Sequence, residues 1–345
     1  MNEDSATYKS AGVDIEAGDE AVYRLKDYAK STYTPDVLTD VGSFGGMFRL
    51  DTRGMSEPVL VSSIDSVGTK VKIASMMDRY DTIGADIVNH CVNDVLVQGA
   101  RPLFFLDYYA TSKLRPEMAA DVVKGMAAAC IDAGCALIGG EIAEMPGVYL
   151  EGEFDVAGCV VGIVDRAKII DGSRVEPGDV VIGIASSGPH TNGFSLVRKV
   201  LFEDNDYRID QYVPELGAVL GDVLLAPHRC YFRSVYPILE GYGVHAMAHL
   251  TGGGFYNNIP RVLPLDCQVT VERRNWAVPP IFQLLQEKGN IDHTEMHRTF
   301  NMGIGLVLII AKERSIEAVD RLNEAGETAW MIGEVHKGGR EVTVI

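Results

Sequence analysis

The stretch DTIGADIVNHCVNDVLVQGARPLFFLDYYAT, Asp81 to Thr111, changes its period halfway along. Ile83, Ile87, Cys91 and Val95 recur every four residues, which sets them on one face of a helix, and Thr82 is placed to cap its start. Gly99 ends that helix, and the apolar, aromatic run PLFFLDYYA reads as a buried strand. A helix that gives way through glycine to a buried strand is the building unit of a layered α/β fold.

The same alternation extends in both directions. EPVLVSS (Glu57 to Ser63) is a strand pattern; Pro116 to Ala133 is a second amphipathic helix, stopped at Gly134; CALIGG and FDVAGCVVGIV are two more strands. Turn residues then cluster in DRAKIIDGSRVEPGD, and the pattern restarts with the strand VVIGIASSG. Beyond it come a helix from about Asn192, another near Tyr231 to Tyr242, the strands VHAMAHL and MGIGLVLII, a helix over Arg314 to Glu324 and the strand AWMIGEV. The expected organisation is two layered α/β (α+β) domains, residues 1–168 and 169–345, with the join inside the turn-rich segment.

At 345 residues the chain can bury two full cores, and 47% hydrophobic with 23% charged residues is the composition of a folded globular protein. No apolar run is long enough to span a bilayer, and the polar, acidic opening MNEDSATYKS resembles neither a signal nor a transit peptide, so a cytoplasmic protein is expected. A net charge of −17 argues against nucleic acid as a partner and requires any anionic ligand to be captured locally. The six cysteines form no C-x-x-C pair and read as buried free thiols.

Four polar, glycine-rich segments lie at the ends of apolar elements. SSIDSVGTK (Ser62 to Lys70) has the vocabulary of a phosphate loop in the wrong order for a Walker A motif, and instead presents Asp65 at a strand tip. With Asn93 and Asp94 it forms either an ordinary hydrogen-bonded edge or an oxygen-ligand set for Mg²⁺. IGGEIAEMPG repeats the arrangement with Glu141 and Glu144, while GSFGGMF supplies a mobile backbone at Gly42, Gly45 and Gly46. SSGPHTNG and LTGGGF bring hydroxyls and free amides together as anion nests. His190 in the former is either an acid–base group or a cap. His245/His249 and His293/His297 have the spacing of zinc-helix ligands, but the first pair lies in a strand and the second lacks the H-E-x-x-H order, so zinc is not expected at either.

These motifs together resemble the phosphoribosylformylglycinamidine cyclo-ligase (aminoimidazole ribonucleotide synthetase) family. The resemblance runs from about Tyr8 to Gly333 and is carried most specifically by NDVLVQGARPLFFLDYYAT and SSGPHTNG. It implies ATP-dependent ring closure of formylglycinamidine ribonucleotide in purine synthesis, with Mg²⁺, by a homodimer whose N-terminal sheets form a shared barrel. It further implies Asp65, Asp94 and Glu141 as metal ligands, with Asp65, Asp94 and His190 catalytic. Lys9, Gly42, Gly45, Gly46, Gly68, Thr69, Lys70 and Asn93 would meet ATP or phosphate. Ser187, Gly188, Thr191, Asn192, Thr251, Gly252, Gly253 and Gly254 would hold the substrate. Ser66 stands where a glycine is common in the family, which bears on the turn after Asp65 but not on its carboxylate. The alternatives are a selenide- or thiamine-phosphate-type phosphotransferase of the same superfamily, or a non-catalytic ATP-binding scaffold. The former is not expected to carry LFFLDYYAT together with SSGPHTNG, and retention of His190, Asn192 and the TGGG glycines speaks against the latter.

Overall fold

The computed structural model describes residues 6–345; the opening residues Met1 to Ser5 lie outside them. The first half contains α1 (Ile15–Ser31), β1 (Pro58–Ser66), α2 (Lys70–Met77), α3 (Asp81–Leu96), β2 (Arg101–Thr111), α4 (Pro116–Ala133), β3 (Ala136–Glu144) and β4 (Phe154–Asp165). Its four strands form one mixed sheet in the order β1-β4-β2-β3. β2 and β3 are parallel and joined by α4, while β4 runs antiparallel to both its neighbours. Parallel neighbours need a crossover of this kind, because a tight hairpin joins only antiparallel strands.

One face of that sheet carries α3 and α4. Along β4, Val156, Gly158 and Val160 are buried on this side, while Ala157, Cys159 and Val161 alternate onto the other. Gly84 of α3 and Gly125 of α4 let the two helices touch backbone to backbone. A Cβ on Gly84 would lie 1.8 Å from the Val122 carbonyl, and one on Gly125 would lie 1.8 Å from that of Asp81. No larger residue fits either position without separating the helices. The expected Thr82 cap is a correction. α3 starts at Asp81 behind Tyr80, so Thr82 lies inside the first turn, where its buried Oγ1 has no partner among the described residues.

The second half is built on β5 (Val180–Ala185), β8 (Val244–His249), β9 (Cys267–Val271), β10 (Ile304–Ile310), β11 (Ala329–Lys337) and β12 (Val342–Val344), ordered β12-β9-β11-β5-β10-β8. A two-stranded ribbon, β6 (Tyr212–Val213) with β7 (Ala218–Val219), stands apart. The helices are α5 (Phe194–Arg198), α6 (Leu220–Leu224), α7 (Phe232–Val235), α8 (Gly254–Asn258), α9 (Pro280–Gly289), α10 (His293–Thr299) and α11 (Ser315–Glu324). Every residue of β10 is buried, as its unbroken apolar sequence requires. Two helices differ from the bounds the sequence pattern predicts. α7 gives way to a 3₁₀ turn at Tyr236–Ile238, where Pro237 lacks the donor that would continue it. α5 starts only after Gly193, which takes a positive φ of 79°.

The two halves meet along α3. Asp86, Asn89 and Asn93 form a polar stripe on this helix that grips a single backbone segment of the second half. Asp86 accepts the His228 N–H at 2.7 Å, Asn89 donates to the His228 carbonyl at 2.7 Å, and Asn93 bonds both the Arg229 carbonyl and the Tyr231 N–H. Lys70 completes the joint. Its ammonium is fully buried, 2.8 Å from Asp86 Oδ2, and donates to the Ala226 carbonyl at 2.8 Å. Buried charges persist only when paired in this way.

Candidate active site

A cavity of about 670 Å³ opens between the halves, walled by β1 and α3 on one side and by the end of β8 and α8 on the other. The alternation of β1 turns Ser63 and Asp65 toward α3. His90 and Asp94, one helical turn apart, meet them there. His90 Nε2 lies 2.9 Å from Asp65 Oδ2 and 3.9 Å from Asp94 Oδ2, so the imidazole sits between the two carboxylates. Asp94 also accepts from the Ser63 hydroxyl at 2.9 Å and from His249 Nδ1 at 2.8 Å.

These contacts belong to one hydrogen-bonded chain. His90 Nδ1 meets Thr191 Oγ1 at 3.0 Å, Thr191 Oγ1 meets His228 Nδ1 at 3.3 Å, and His228 Nε2 meets His249 Nε2 at 2.8 Å. The carboxylates at its ends fix the proton order. His249 must donate Nδ1–H to Asp94, so its Nε2 accepts from His228 Nε2–H. His228 Nδ1 then accepts from Thr191, and Thr191 accepts from His90 Nδ1–H. His90 also donates to Asp65, which makes it an imidazolium. The electrostatics agree. Burial opposes charge on His90, yet the Asp65 hydrogen bond and the charges of Asp94 and Asp65 raise its pKa above the ordinary histidine value. Burial, reinforced by neighbouring cationic groups, holds His228 well below that value. Burial also opposes ionisation of Asp94, but the hydrogen bond from His249, with the charge of His90, outweighs it and brings its carboxyl down to about 2.

Asp65 and Asp94 therefore come together as expected, and Thr251 lines the same cavity. Other expectations are corrected. Lys70 cannot reach a phosphate, because its ammonium is consumed by Asp86 and Ala226 in the interior. Asn93 is buried and both ends of its amide are used in the joint between the halves, so it is no nucleotide contact. His190 is buried and neutral: its Nε2 faces the N–H groups of Ser187 and Arg229 at 3.3 and 3.4 Å, and burial, then the neighbouring cations, hold its pKa well below the usual value. It stacks on His228 at 4.0 Å, with a strained φ of 59°. Thr191, expected to hold substrate, is a buried link of the histidine chain.

Glu141 does not join Asp65 and Asp94 within one chain. Asp65 pairs with Gly158, Gly158 with Asp107 and Asp107 with Gly140, so Glu141 stands three strands away, about 14 Å at the usual strand spacing. It lines a second cavity of about 610 Å³ with Gly42, Gly45 and Gly46. Lys9 borders neither cavity; it pairs with Asp14 at 2.8 Å. Thr69 sits after the Gly68 turn with its hydroxyl 3.1 Å from that of Ser195. The Ser187 hydroxyl donates to the Pro227 carbonyl, and the Gly188 carbonyl accepts from Asn301. Asn192 lies close beside Gly252, and Gly253 and Gly254 turn the chain into α8.

His90, His249, Asn258 and Arg261 were not singled out from sequence as site residues. His90 had a signal, since it lies four residues before Asp94 on the same helix. Arg261 brings the one guanidinium among the lining residues of the first cavity and is held by Asn258 at 3.3 Å. All six cysteines are free thiols. No helix of the described residues is long and apolar enough to cross a membrane.

The chain matches the family models "AIR synthase related protein, N-terminal domain" over residues 48–164 and "AIR synthase related protein, C-terminal domain" over 176–345. It is 53% identical to a phosphoribosylformylglycinamidine cyclo-ligase of Brevibacillus brevis, covering 98% of each chain. It is 52% identical to that of Carboxydothermus hydrogenoformans, again with 98% of each covered. Among solved structures it is similar to thiamine-monophosphate kinase from Stenotrophomonas maltophilia, with a TM-score of 0.69, 15% identity and coverage of 94% and 95%. It is also similar to hydrogenase maturation protein HypE in complex with ATP, with a TM-score of 0.62, 20% identity and coverage of 93% and 90%. At such identities the structural likeness bears on the fold alone.

Proposed function

The chain belongs to the phosphoribosylformylglycinamidine cyclo-ligase family, and from that premise we propose that the cavity holding Asp65 and Asp94 is where it closes an imidazole ring. The reaction converts formylglycinamidine ribonucleotide and ATP into 5-aminoimidazole ribonucleotide, ADP and phosphate. The formyl amide oxygen attacks the γ-phosphorus of ATP and ADP leaves. The amidine nitrogen then attacks the activated carbon, phosphate departs with the former amide oxygen, and the ring nitrogen gives up its proton. The observation that carries this reading is the convergence of two carboxylates, from β1 and α3, on one interdomain cavity that also contains a guanidinium.

Phosphoryl transfer depends on positioning and on neutralising spread negative charge. The donors fit Mg²⁺: Asp65, Asp94 and the Ser63 hydroxyl offer the hard oxygen ligands that ion takes. Bound there, the ion would offset charge on the transferring group. Arg261 is assigned to the phosphoryl group or the substrate's phosphate, and Thr251 to substrate positioning. His90 and His249 orient the two carboxylates and keep them ionised.

Residues 1–168 are taken as the ATP-binding unit and 169–345 as the substrate unit, a division supported by the end of one sheet at Asp165 and the start of the next at Val180. The uncovered face of the first sheet supports pairing of two copies. Leu60 and Ile64 are 58% and 74% exposed there; the row of Ile64 continues through Cys159 to Leu106, and the adjacent row runs from Ser62 through Val161 to Phe104. The reading is tested by supplying ATP, Mg²⁺ and formylglycinamidine ribonucleotide and following aminoimidazole product. ATP hydrolysis without product would sink it.

A further inference from the structure

Two imidazoles face the first cavity from opposite walls, His90 from α3 and His249 from the end of β8, and both are almost wholly buried. One nitrogen of each and one carboxylate oxygen of Asp94 lie within 4.8 Å of one another. Asp65 adds a further donor: its Oδ2 is 2.9 Å from His90 Nε2, while Asp94 approaches His249 Nδ1 at 2.8 Å and His90 Nε2 at 3.9 Å. In a tetrahedral zinc site, with bonds of about 2.0–2.2 Å, neighbouring ligand atoms stand about 3.3 Å apart, a spacing that these contacts bracket. The two rings cross at 77° with centroids 5.1 Å apart, so their planes meet rather than run side by side. A second grouping, His190 with His228 and His249, lacks that property. His190 and His228 stack at 4.0 Å and 23°, which sets their lone pairs in nearly parallel planes.

We propose that His90, His249, Asp94 and Asp65 form a site for a divalent transition-metal ion of the zinc class, and that Zn²⁺ held there shuts out Mg²⁺. The binding rests on this geometry; the inhibition rests on the Mg²⁺-dependent reading above. Mg²⁺ takes oxygen ligands in a near-ideal octahedron, whereas imidazole suits Zn²⁺. The two carboxylates serve either ion, and the two imidazoles tip the choice. To become ligands, His90 must release its Nε2 proton to solvent, and His249 must carry its proton on Nε2 rather than Nδ1. The hydrogen-bonded chain behind them accommodates this by reversing. His249 Nε2–H then donates to His228 Nε2, His228 Nδ1–H donates to Thr191 Oγ1, and Thr191 goes on accepting from His90 Nδ1–H. Each ligand imidazole keeps a partner on its far nitrogen, the support that metal-bound histidines use. The cavity is the route by which the ion enters.

X-ray absorption at the zinc edge tests the site with no substitution, on intact protein stripped of metal and then given one equivalent of Zn²⁺. The expected spectrum shows two imidazoles among the ligands; oxygen-only coordination overturns the proposal. Competition with a chromophoric chelator should give one tightly held Zn²⁺ per chain. His90→Gln should weaken that binding by more than about 100-fold, and His228→Leu, which acts only through His249, by about 10–100-fold. Affinity that is insensitive to His90→Gln, or that is lost in His190→Gln instead, overturns the assignment. In the assay with ATP and formylglycinamidine ribonucleotide, Zn²⁺ should suppress product formation, and raising free Mg²⁺ at constant MgATP should restore it. Inhibition that Mg²⁺ does not relieve places the ion elsewhere and sinks the competition. Wild-type protein that forms no aminoimidazole product with Mg²⁺ and ATP would overturn the reaction itself, a result separate from the zinc spectrum.

Discussion

Asp94 and Asp107 are the same side chain in the same half of the molecule, and their surroundings drive them apart. Asp94 sits in a lattice where Ser63, His90 and His249 converge on it, and its pKa falls to about 2 despite its burial. Asp107 sits against apolar walls with no charged partner, and its pKa rises to about 7. Burial penalises both carboxylates; only the partners differ. One cavity thereby holds carboxylates whose ionisation is supported, the other a carboxyl whose ionisation burial opposes. The domain sets the two apart by varying the neighbours of a carboxylate, not the carboxylate.

The largest expected effect comes from breaking the charged side of this contrast. Asp94→Asn should lower kcat by about 10²–10³-fold, the loss typical of removing one electrostatic contact to a reacting group, with unchanged circular dichroism. Asp107→Asn should cost less than about tenfold in the same assay. Equal losses would erase the distinction. A second test creates an unpaired carboxylate where no cavity exists to use it. Lys70→Met strands Asp86 in the interior and should reduce unfolding free energy by about 3–5 kcal/mol in denaturant titrations. Adding Asp86→Leu should restore part of that loss.

A smaller effect follows from moving the helix that carries the lattice. Gly84→Ala forces α3 away from α4 and should cost about 1–3 kcal/mol, read as a lowered melting temperature, while KM for ATP changes little. The smallest concerns protonation. His190 and His228 are buried with pKa values held below that of a free histidine, so the unfolded chain binds protons first as pH falls. Their contribution to stability is complete above about pH 6.5 and declines below it. Denaturation midpoints measured from pH 8 to 5.5 should fall in acid, and His228→Gln should flatten the decline.

Much of the architecture was legible because its signals are local. The period of four in α3, the Gly134 stop after α4 and the apolar run of β10 each follow from neighbouring residues. The carboxylate pair was also legible, since a strand tip and a helix edge each displayed an acid. What escaped was decided by distant segments. Lys70 reads as a phosphate ligand until Asp86 and Ala226 are seen to consume it. Asn93 reads as a site residue until Arg229 and Tyr231 take both ends of its amide. His190 sits in a loop that looks solvent-facing, yet packing closes over it. Glu141 shares the strand-end pattern of Asp65, but the order β1-β4-β2-β3 carries it to the opposite edge.

Asn93 and Asp94 are adjacent on α3, and they face different tasks. The first holds the backbone of the second half at Arg229 and Tyr231; the second borders the cavity. About 3.8 Å of chain, one peptide unit, separates the seam from the chemistry. A ligand that wedged Arg229 away from Asn93 would therefore disarrange Asp94 while never entering the substrate's space. The grip of Asn93 on that backbone is thus part of what holds Asp94 in place.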